Sequence, residues 1–453
     1  PRAPDRQLPK SFETANETAA AAQAHAASSA QRTWSEFFAS PELRSLIETA
    51  LSNNQELNVR LQEIMIAHNE VSARQGDYLP RVGAFVGGGV DHVGHYTSQG
   101  ASDDATRLPS NLGDFTFGLT GSWEVDIWRR LRDARDAADL RYFASIEAKS
   151  FMATQLIAEV ARSYYELIAI DNQLEILRHN IEIQADALKV VKLEQQAARV
   201  TSLAVQRFEA EVLKNKSRVY DVEQAKVQTE NRINFLLGRY PQPVRRRPQE
   251  FTQPMPAVVN TGLPAQLLDN RPDVRQAELA LAAAKLDVKV TKAAFYPSLT
   301  IDAALGYRAF NVAHLVSTPA SLIYNLAGSL VAPLLNRQAI TAAYQSANSR
   351  QVQAVYNYEK TLLQAFTDVA NQLAKFENLQ KSYELQAQQV DTLARSVDIS
   401  KLLFQSARAD YMEVLLTRRD SLEAQMELVE TKRRQFEATV SIYQALGGGW
   451  RAD

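Results

Sequence analysis

The sequence predicts an α+β membrane protein built as an internal duplication, and three observations lead to this fold class. Residues 114–127 alternate polar and apolar side chains over the roughly 9–11 residues that a tilted strand needs to cross a bilayer. Residues 122–237 contain neither glycine nor proline and place apolar side chains at helical spacing. A unit of helix, hairpin, long helix and returning helix then occurs twice along the chain.

The composition excludes several classes of protein. With 453 residues and 45% apolar content the chain can bury large surfaces, and its net charge of −2 gives no basic footprint for nucleic acid. No uninterrupted apolar run reaches about 18 residues, so any membrane span is expected to consist of strands. Cysteine is absent, which excludes disulfides and thiolate chemistry within this chain.

No residue pattern indicates an enzyme. The six histidines are scattered, and only His92 and His95 are close together, where a metal site is the alternative to ordinary polar strand residues. No Ser-His-Asp order, phosphate-binding loop or cysteine nucleophile is present in the sequence. We therefore expect no catalytic, cofactor or metal site.

The strand in residues 114–127 has one apolar face. Side chains alternate between the two faces of a strand, and the large apolar residues here fall at every second position. We expect the following side chains to face the membrane: Phe115, Phe117, Leu119 and Trp123.

The chain is expected to begin with an N-terminal arm, residues 1–40. The arm is rich in proline and alanine, and it starts at Pro1 without methionine or a signal peptide, which predicts a processed product. Large aromatic side chains near its end, from Trp34 to Phe38, mark where it is held down.

The first structural repeat is expected at 41–238. Ser40 and Pro41 form a helix start, with serine as N-cap, and the helix is predicted to run to about Tyr78. A β-hairpin at 82–127 follows, with an exposed loop at 96–112. The long helix after it carries apolar residues at spacings of three, four and seven, typical of helices packed side by side: Val160, Tyr164, Leu167, Leu174, Leu177, Ile181, Leu188 and Val191.

About 70 helical residues at 1.5 Å each give roughly 105 Å, a length that excludes a compact core. A break in the helix is expected before Gly238. Thr201 and Ser202 are the predicted cap of a returning helix.

An equatorial segment is expected at 239–270. It contains many prolines and the run Arg245–Arg247, which we interpret as a solvated face.

The second structural repeat is expected at 271–453, with a β-hairpin at 298–335. Residues 270–297 align with 53–80 at a shift of 217, and at a shift of 209 Gly238 aligns with Gly447. Asp410, followed three residues later by Glu413, predicts a capping box at the second return.

Four strands cannot close a membrane barrel, since the smallest barrels have about eight. Unpaired strand edges facing lipid would leave backbone groups without hydrogen bonds, at several kcal/mol each. Several copies of the chain are therefore expected to share one barrel, and the helices would continue that tube into water.

Several motifs, in this order on the duplication, carry a family resemblance. They are Trp34 with Phe37 and Phe38, residues 122–126 leading into 129–132, Arg271–Val274 with Glu278, Phe295–Ser298 and Ala445–Trp450. Over its whole length the chain resembles the outer-membrane factor family of efflux channels, of the TolC, OprM and CusC type, which includes NodT-type lipoproteins.

The resemblance implies a homotrimer with a 12-stranded barrel in the outer membrane of a Gram-negative bacterium and an α-helical barrel that crosses the periplasm. It implies multidrug-resistance-type transport: a duct that conducts drugs or other toxic small molecules from an inner-membrane pump and a periplasmic adaptor. Residues 1–9 resemble the segment next to a lipidated N-terminal cysteine in relatives, so a lipid anchor on a cysteine outside this chain is implied.

The resemblance also implies two sites at the far ends of the long helices. The adaptor-contact tips are expected at Arg199, Thr201, Ser202, Arg408, Asp410 and Tyr411. The periplasmic aperture is expected at Leu415, Leu416, Arg418, Arg419 and Asp420, with Asp420 or a neighbouring carboxylate holding Arg419. The chain departs from the family by carrying Ala198 and Ala407 where relatives have glycine, and Leu416 where they commonly have aspartate.

Two further readings stay open beside an efflux duct and an enzyme. A soluble coiled-coil scaffold would explain the helical seam, but not four alternating strands inserted at matching points. A type I protein-secretion outlet would use the same duct. The inner-membrane pump is expected to be of the resistance-nodulation-division or the major-facilitator kind.

Overall fold

The computed structural model describes residues 32–109, 111–252, 266–335, 337–406 and 408–451, and it is mostly helical with one small sheet. Most of the predicted arm and part of the equatorial segment lie outside these residues. Among the described residues, no helix combines the length and the apolar character that a membrane span requires. The chain divides into two compact units.

The strand unit comprises Glu63–Ser145 and Ala277–Tyr358, one segment from each predicted repeat. It holds an antiparallel sheet in the order β1-β2-β3-β4, in which neighbours along the chain pair. The strands are β1 (Arg81–His92), β2 (Asn111–Val125), β3 (Ser298–Ala309) and β4 (Leu322–Val331). Both predicted hairpins are therefore present.

The helical unit takes its described residues from Asp5–Gln62, Ile146–Gln276 and Glu359–Asp453. Its main core joins aromatic and aliphatic side chains from all three segments, including Trp34, Phe38, Tyr164, Phe251 and Tyr443. Trp34 belongs to a one-turn helix, Trp34–Phe37, and is 7% exposed. The aromatic residues predicted to hold the arm down are thus buried or packed against this core.

Two long helices and their returns dominate the chain, and each pair has nearly equal lengths. After α1 (Pro41–Asn53), α2 (Gln55–Tyr78) and α3 (Ser98–Ala105) come α4 (Arg130–Gln196), with 67 residues, and α5 (Ser202–Leu236), with 35. The second set is α6 (Pro272–Ala293), α7 (Gln338–Gln405), with 68 residues, and α8 (Tyr411–Ala445), with 35. Six of the predicted seam residues are buried: Val160, Tyr164, Leu167, Leu174, Leu177 and Val191.

The predicted helix from Pro41 to Tyr78 is wrong in one respect, because it breaks between α1 and α2 at Asn54. The Asn54 side chain accepts hydrogen bonds from the backbone amides of Glu56 and Leu57 at 2.9 and 3.1 Å, and donates to the Leu236 carbonyl at 2.9 Å. An asparagine that caps a new helix competes with continuing the old one.

The predicted loop 96–112 also contains structure, namely α3. Thr97 caps this helix by accepting a hydrogen bond from the Gly100 amide at 3.1 Å. The polar composition of the segment concealed a helix that is fixed by its cap rather than by an apolar face.

The two predicted repeats close in the same way. Gly238 and Gly447 follow the two returning helices and have φ angles of +66° and +85°, a region that favours glycine. A Cβ on Gly238 would lie 2.4 Å from the Asn53 carbonyl oxygen, and one on Gly447 would lie 2.4 Å from that of Asn270. Each return helix therefore ends with its glycine packed against an asparagine carbonyl, that of Asn53 at the end of α1 or that of Asn270 just before α6.

The run Arg245–Arg247 is solvated only in part, because Arg245 and Arg247 are exposed but Arg246 is not. Arg246 is 11% exposed and forms ion pairs with Asp171 and with Glu230, the latter at 2.7 Å. Arg247 binds Glu42 at 2.6 Å. Arg246 and Arg247 attach the equatorial segment to the helices, because carboxylates that are distant in the sequence face them.

Candidate functional sites: strand face and helix tips

The sheet has one apolar face that is exposed in the single chain. The alternation predicted for β2 continues across the paired strands, because the register places Leu119 beside Leu305, and Leu305 beside Tyr324. The large exposed side chains of this face are Val82, Val86, Val90, Leu119, Leu305, Tyr324, Leu326 and Leu330, each more than half exposed. Soluble monomers rarely expose so large an apolar surface.

The four predicted membrane-facing residues of β2 lie on this face. The rings of Phe117 and Tyr307 stack with centroids 5.5 Å apart, and Phe115 lies opposite Ala309. Trp123 donates a hydrogen bond from its indole Nε1 to the Tyr78 carbonyl at 3.1 Å. Leu119 is 54% exposed.

The opposite face of the sheet is polar and carries an ion pair and a hydrogen bond between strands that the sequence did not reveal. Arg308 binds Asp114 with two hydrogen bonds, at 2.6 and 2.8 Å. Ser122 donates to Asp302 at 2.7 Å. Only the register between β2 and β3, which single-sequence alternation does not supply, could have predicted these partners.

Asp126 holds the junction between β2 and α4. Its carboxylate accepts hydrogen bonds from the Leu131 and Arg132 amides at 3.0 and 2.9 Å, and from the Arg132 guanidinium at 3.1 Å. Burial acts to raise the pKa of Asp126, but these hydrogen bonds outweigh it and the pKa lies below its usual value. The charged carboxylate therefore fixes the direction in which the helix leaves the strand.

The two helix tips have matching turns at Arg199 and Arg408. The Arg199 amide donates to the Glu194 carbonyl at 2.9 Å, and the Arg408 amide donates to that of Leu403 at 2.8 Å. In the first turn Ala198 has a φ angle of +58°, a conformation that glycine adopts more easily. This backbone requirement explains why glycine would suit the position.

The caps of the two return helices differ. Thr201 caps α5 by accepting a hydrogen bond from the Ala204 amide at 3.4 Å, and Ser202 accepts one from Gln195 at 2.9 Å. Asp410 is the N-cap of α8, but its side chain makes no cap hydrogen bond. The predicted capping box is thus wrong, because the Glu413 amide bonds to the backbone carbonyl of Asp410 instead.

The predicted aperture residues divide between a buried wall and an exposed surface. Leu415 is 8% exposed and packs in a cluster with Val191, Ala204, Val205 and Phe208, against which Tyr411 also packs. Leu416 is 40% exposed. The neighbouring leucines therefore have different environments, and Leu415 belongs to the helical wall.

The two arginines of this region also differ. Arg419 binds the adjacent Asp420 at 3.1 Å, the partner that the sequence predicted, and both side chains are more than 40% exposed. Arg418 is partly buried, its Nε has no hydrogen-bond partner among the described residues, and burial lowers its pKa despite the charge of Asp398. Arg418 borders a cavity of about 360 Å³ that is lined mainly by apolar residues of α4, α5, α7 and α8.

The histidines that offered an alternative metal site have separate partners. His92 Nδ1 lies 3.0 Å from Asn111 Oδ1, and His95 Nδ1 lies 2.8 Å from Asp104 Oδ2. In the part of the chain that the structure describes, no group of three or more potential metal ligands occurs.

The fold is that of outer-membrane channels. The open state of the MtrE channel of Neisseria gonorrhoeae matches 99% of this chain and 97% of its own with a TM-score of 0.86 at 23% identity. CusC matches 99% of both chains with a TM-score of 0.84 at 24% identity. These comparisons show that the chain shares its fold with solved outer-membrane channels.

The chain belongs to the outer membrane efflux protein family, whose model matches residues 46–239 and 263–448. It is 30% identical over 423 residues to the pyoverdine export outer membrane protein OpmQ of Pseudomonas putida, covering 93% of this chain and 88% of the relative. It is 25% identical over 423 residues to the cation efflux system protein CusC of Escherichia coli, covering 92% and 88%. Such relatives are efflux channels of the outer membrane, not enzymes.

Proposed function

We propose that the chain is the exit duct of a tripartite efflux system and passively conducts drugs or other toxic small molecules across the outer membrane. The observation that carries this proposal is the sheet, with an exposed apolar face over four strands of membrane length. Its opposite face carries charged and hydroxyl side chains, suited to a water-filled lumen.

Three copies would close the sheet into a 12-stranded barrel. Among the described residues, β1 and β4 each pair on one side only, so each offers an open edge. Pairing β4 of one copy with β1 of the next satisfies those backbone groups, which lipid cannot do. The helices of the three copies would then form the helical barrel. We assign the repeats to 41–238 and 271–453, with the arm 1–40 and the equatorial segment 239–270 outside them.

The proposal is tested on the purified protein in detergent and in planar bilayers. Native mass spectrometry should give three copies per particle, and the particles should form ion-conducting pores. A strain that lacks the protein should accumulate the compounds that the parent strain exports. A monodisperse monomer that stays in solution without detergent would contradict the proposal.

The helix tips are proposed to contact the periplasmic adaptor of an inner-membrane pump of the resistance-nodulation-division or major-facilitator kind. Arg199, Thr201, Ser202, Arg408 and Asp410 are all exposed beside the matched turns, which supports a docking role. Because the chain has no cysteine, single cysteines can be introduced cleanly at Ser202 and at Asp410. Crosslinks to the adaptor in cells should form from both positions and not from Ala394, an exposed site within α7.

A resting constriction is proposed around Leu416 and Arg419, supported by Leu415, Arg418 and Asp420.

An N-terminal lipid on a cysteine ahead of Pro1 is also proposed, from the resemblance of residues 1–9 to lipidated relatives. Mass spectrometry of the mature N-terminal peptide from the native host should show diacylglyceryl and acyl groups. An unmodified N-terminus would remove the anchor and leave the duct unaffected.

A further inference from the structure

We propose that a groove where the strands meet the helices binds the phosphate of a membrane phospholipid and prefers anionic headgroups. The groove lies inside the strand unit, between the start of α4 and the end of α6, and has a volume of about 490 Å³. This inference rests on the proposed function, because the phospholipid is reached only if the apolar sheet face lies in a bilayer.

We infer that the groove lies on the side of the apolar face, because the polar face lines a cavity on the other side. The other side of the same helix pair holds a cavity of about 400 Å³, lined by Ser122, Glu124 and Thr300 of the polar face and by Arg130 of α4. The groove is lined instead by different sides of the two helices: Arg129, Asp133 and Asp136 with Leu286, Lys289 and Ala293. The groove therefore continues the surface that contacts lipid.

A second copy of the chain would not cover this groove by pairing strands. The groove is lined by Trp128, which follows β2, and by Tyr296, which precedes β3, and these are the two inner strands of the sheet. The open edges belong to β1 and β4, so strand pairing between copies takes place on either side of it. The groove stays free for a ligand from the membrane.

Two aromatic side chains mark the level of a membrane–water interface. Trp128 and Tyr296 stack with ring centroids 4.9 Å apart, and they are 48% and 43% exposed. The Trp128 indole donates to the Pro297 carbonyl at 2.8 Å, which fixes its orientation. Tryptophan and tyrosine are enriched at the headgroup level, where one part of the ring is apolar and the other is polar.

Two lysines give the groove an unneutralised positive charge. Lys289 and Lys292 are exposed, and neither makes an ion pair or hydrogen bond within the described part of the chain. The two carboxylates of the groove already have partners: Arg129 binds Asp133 at 3.3 Å and Asp136 at 3.5 Å. Arg135 also binds Asp136, at 2.5 Å. The lysines are therefore available to an anion, and lysine is an effective phosphate binder.

The ligand is a lipid and not free phosphate, because the groove continues the apolar face on which acyl chains would lie. Basic side chains at a membrane surface contribute appreciably to the binding of anionic lipid, and salt screens the contribution. We therefore expect phosphatidylglycerol to be retained better than phosphatidylcholine, and the preference to decrease with added salt.

The test is native mass spectrometry of the full chain in detergent, titrated with phosphatidylglycerol or phosphatidylcholine. Lys289→Ala with Lys292→Ala should weaken phosphatidylglycerol retention by roughly tenfold and phosphatidylcholine retention much less. Lys289→Arg with Lys292→Arg should restore it. The matched control, Lys360→Ala with Lys381→Ala, removes two exposed lysines from α7 and should bind lipid as the parent does. Excess inorganic phosphate should not displace the lipid.

Each outcome separates this inference from the proposed function. The lipid site is contradicted if the unmodified protein forms a trimer but shows no preference for phosphatidylglycerol. It is also contradicted if the double alanine variant binds phosphatidylglycerol as tightly as the unmodified protein. Neither result would contradict the proposed function as an efflux duct. Displacement by inorganic phosphate would assign the groove to a free anion and overturn the lipid assignment. If the unmodified protein forms no trimer but still retains the lipid through these lysines, the proposed function is contradicted and the lipid site is supported.

Discussion

The long helices α4 and α7 occupy equivalent positions in the two predicted repeats, but they are packed very differently within one chain. Nine of residues 162–190 of α4 are buried. At the shift of 209 the equivalent segment of α7 is 371–399, and none of its residues is buried. The first segment packs in the main core together with α1, the equatorial segment and the end of α8.

The two predicted repeats therefore match in the lengths of their long and returning helices but differ in the neighbours of the long helices. Exposed apolar side chains on α7 include Leu385, Ile399 and Leu402, each more than half exposed. Such a surface on a helix of 68 residues requires a partner. In the proposed trimer a neighbouring copy would cover this surface of α7.

The largest effect is expected from charges placed on the uncovered surface of α7. Leu385→Glu with Ile399→Glu would put two carboxylates per chain into each interface, where burying an unpaired charge costs several kcal/mol. We expect the trimer to be lost, as measured by native mass spectrometry in detergent.

The control for this experiment changes the other side of the same helix. Gln380 and Ala394 are exposed and, like Leu385 and Ile399, lie 14 residues apart, but they face away from Leu385 at 100° per residue. Gln380→Glu with Ala394→Glu should leave the trimer intact. If the control dissociates equally, added charge and not the apolar surface is responsible.

A smaller effect is expected from Asp171, which holds the covered helix α4 to the equatorial segment. Asp171→Asn leaves Glu230 as the carboxylate partner of Arg246 and removes the 3.1 Å ion pair with Lys226. We expect the free energy of unfolding to fall by about 1–3 kcal/mol. Asp186→Asn is the matched control on the same helix, because Asp186 is 75% exposed and its pair with Lys189 is worth about 1 kcal/mol or less. Thermal unfolding of the detergent-solubilised protein measures both.

The same substitution changes the dependence of stability on pH. Burial acts to raise the pKa of Asp171, but its pairs with Arg246 and Lys226 outweigh burial and lower the pKa. A carboxylate with a depressed pKa stabilises the fold above the unfolded-state pKa of aspartate and loses that contribution as the pH falls through the folded-state value. Asp171→Asn should therefore flatten the acid side of the stability profile. An unchanged profile would show that the pair does not anchor the segment.

The sequence predicted the elements of the fold well and their partners poorly. Alternation and helical spacing are local signals, so the four strands, the long helices and the seam from Val160 to Val191 could be predicted. The break at Asn54 could not, because the asparagine is held by the Leu236 carbonyl, far away in the chain. The pairing of Arg246 was missed for the same reason, since a run of arginines gives no sign of the carboxylates that face it.

The candidate sites show the same limit. The apolar face of β2 could be predicted, whereas the Asp114–Arg308 pair on the other face depends on register. Leu415 and Leu416 are adjacent and chemically identical, yet only the packing of α8 against α4 and α5 buries the first and leaves the second exposed. Spacing places both on the same helix but does not determine which neighbours each one meets.

The two predicted repeats also differ in how their returning helices are capped at the tips. Thr201→Ala removes a side-chain cap from α5 and should cost about 1 kcal/mol. Asp410→Ala removes only a negative charge near the start of α8, worth about 0.3–1 kcal/mol. Hydrogen exchange should therefore accelerate more at the first turn of α5 than at that of α8. Greater acceleration at α8 would mean that Asp410 caps its helix in solution.

The smallest effect is expected at the proposed constriction, which is formed by exposed side chains of α8 in the second predicted repeat. Leu416 and Arg419 are three residues apart and share one side of α8, and Arg419 is held by Asp420. An exposed ion pair contributes about 0.2–1 kcal/mol, so Arg419→Ala should raise the open population of isolated trimers by no more than about fivefold. Leu416→Ser should act in the same direction by admitting water to an apolar constriction. Arg395→Ala removes an arginine with a similar exposed pair, to Asp391 at 2.8 Å on α7, and should leave the conductance in planar bilayers unchanged. If Leu416→Ser and Arg419→Ala both conduct as the parent does, the closed end of the duct is formed by other residues.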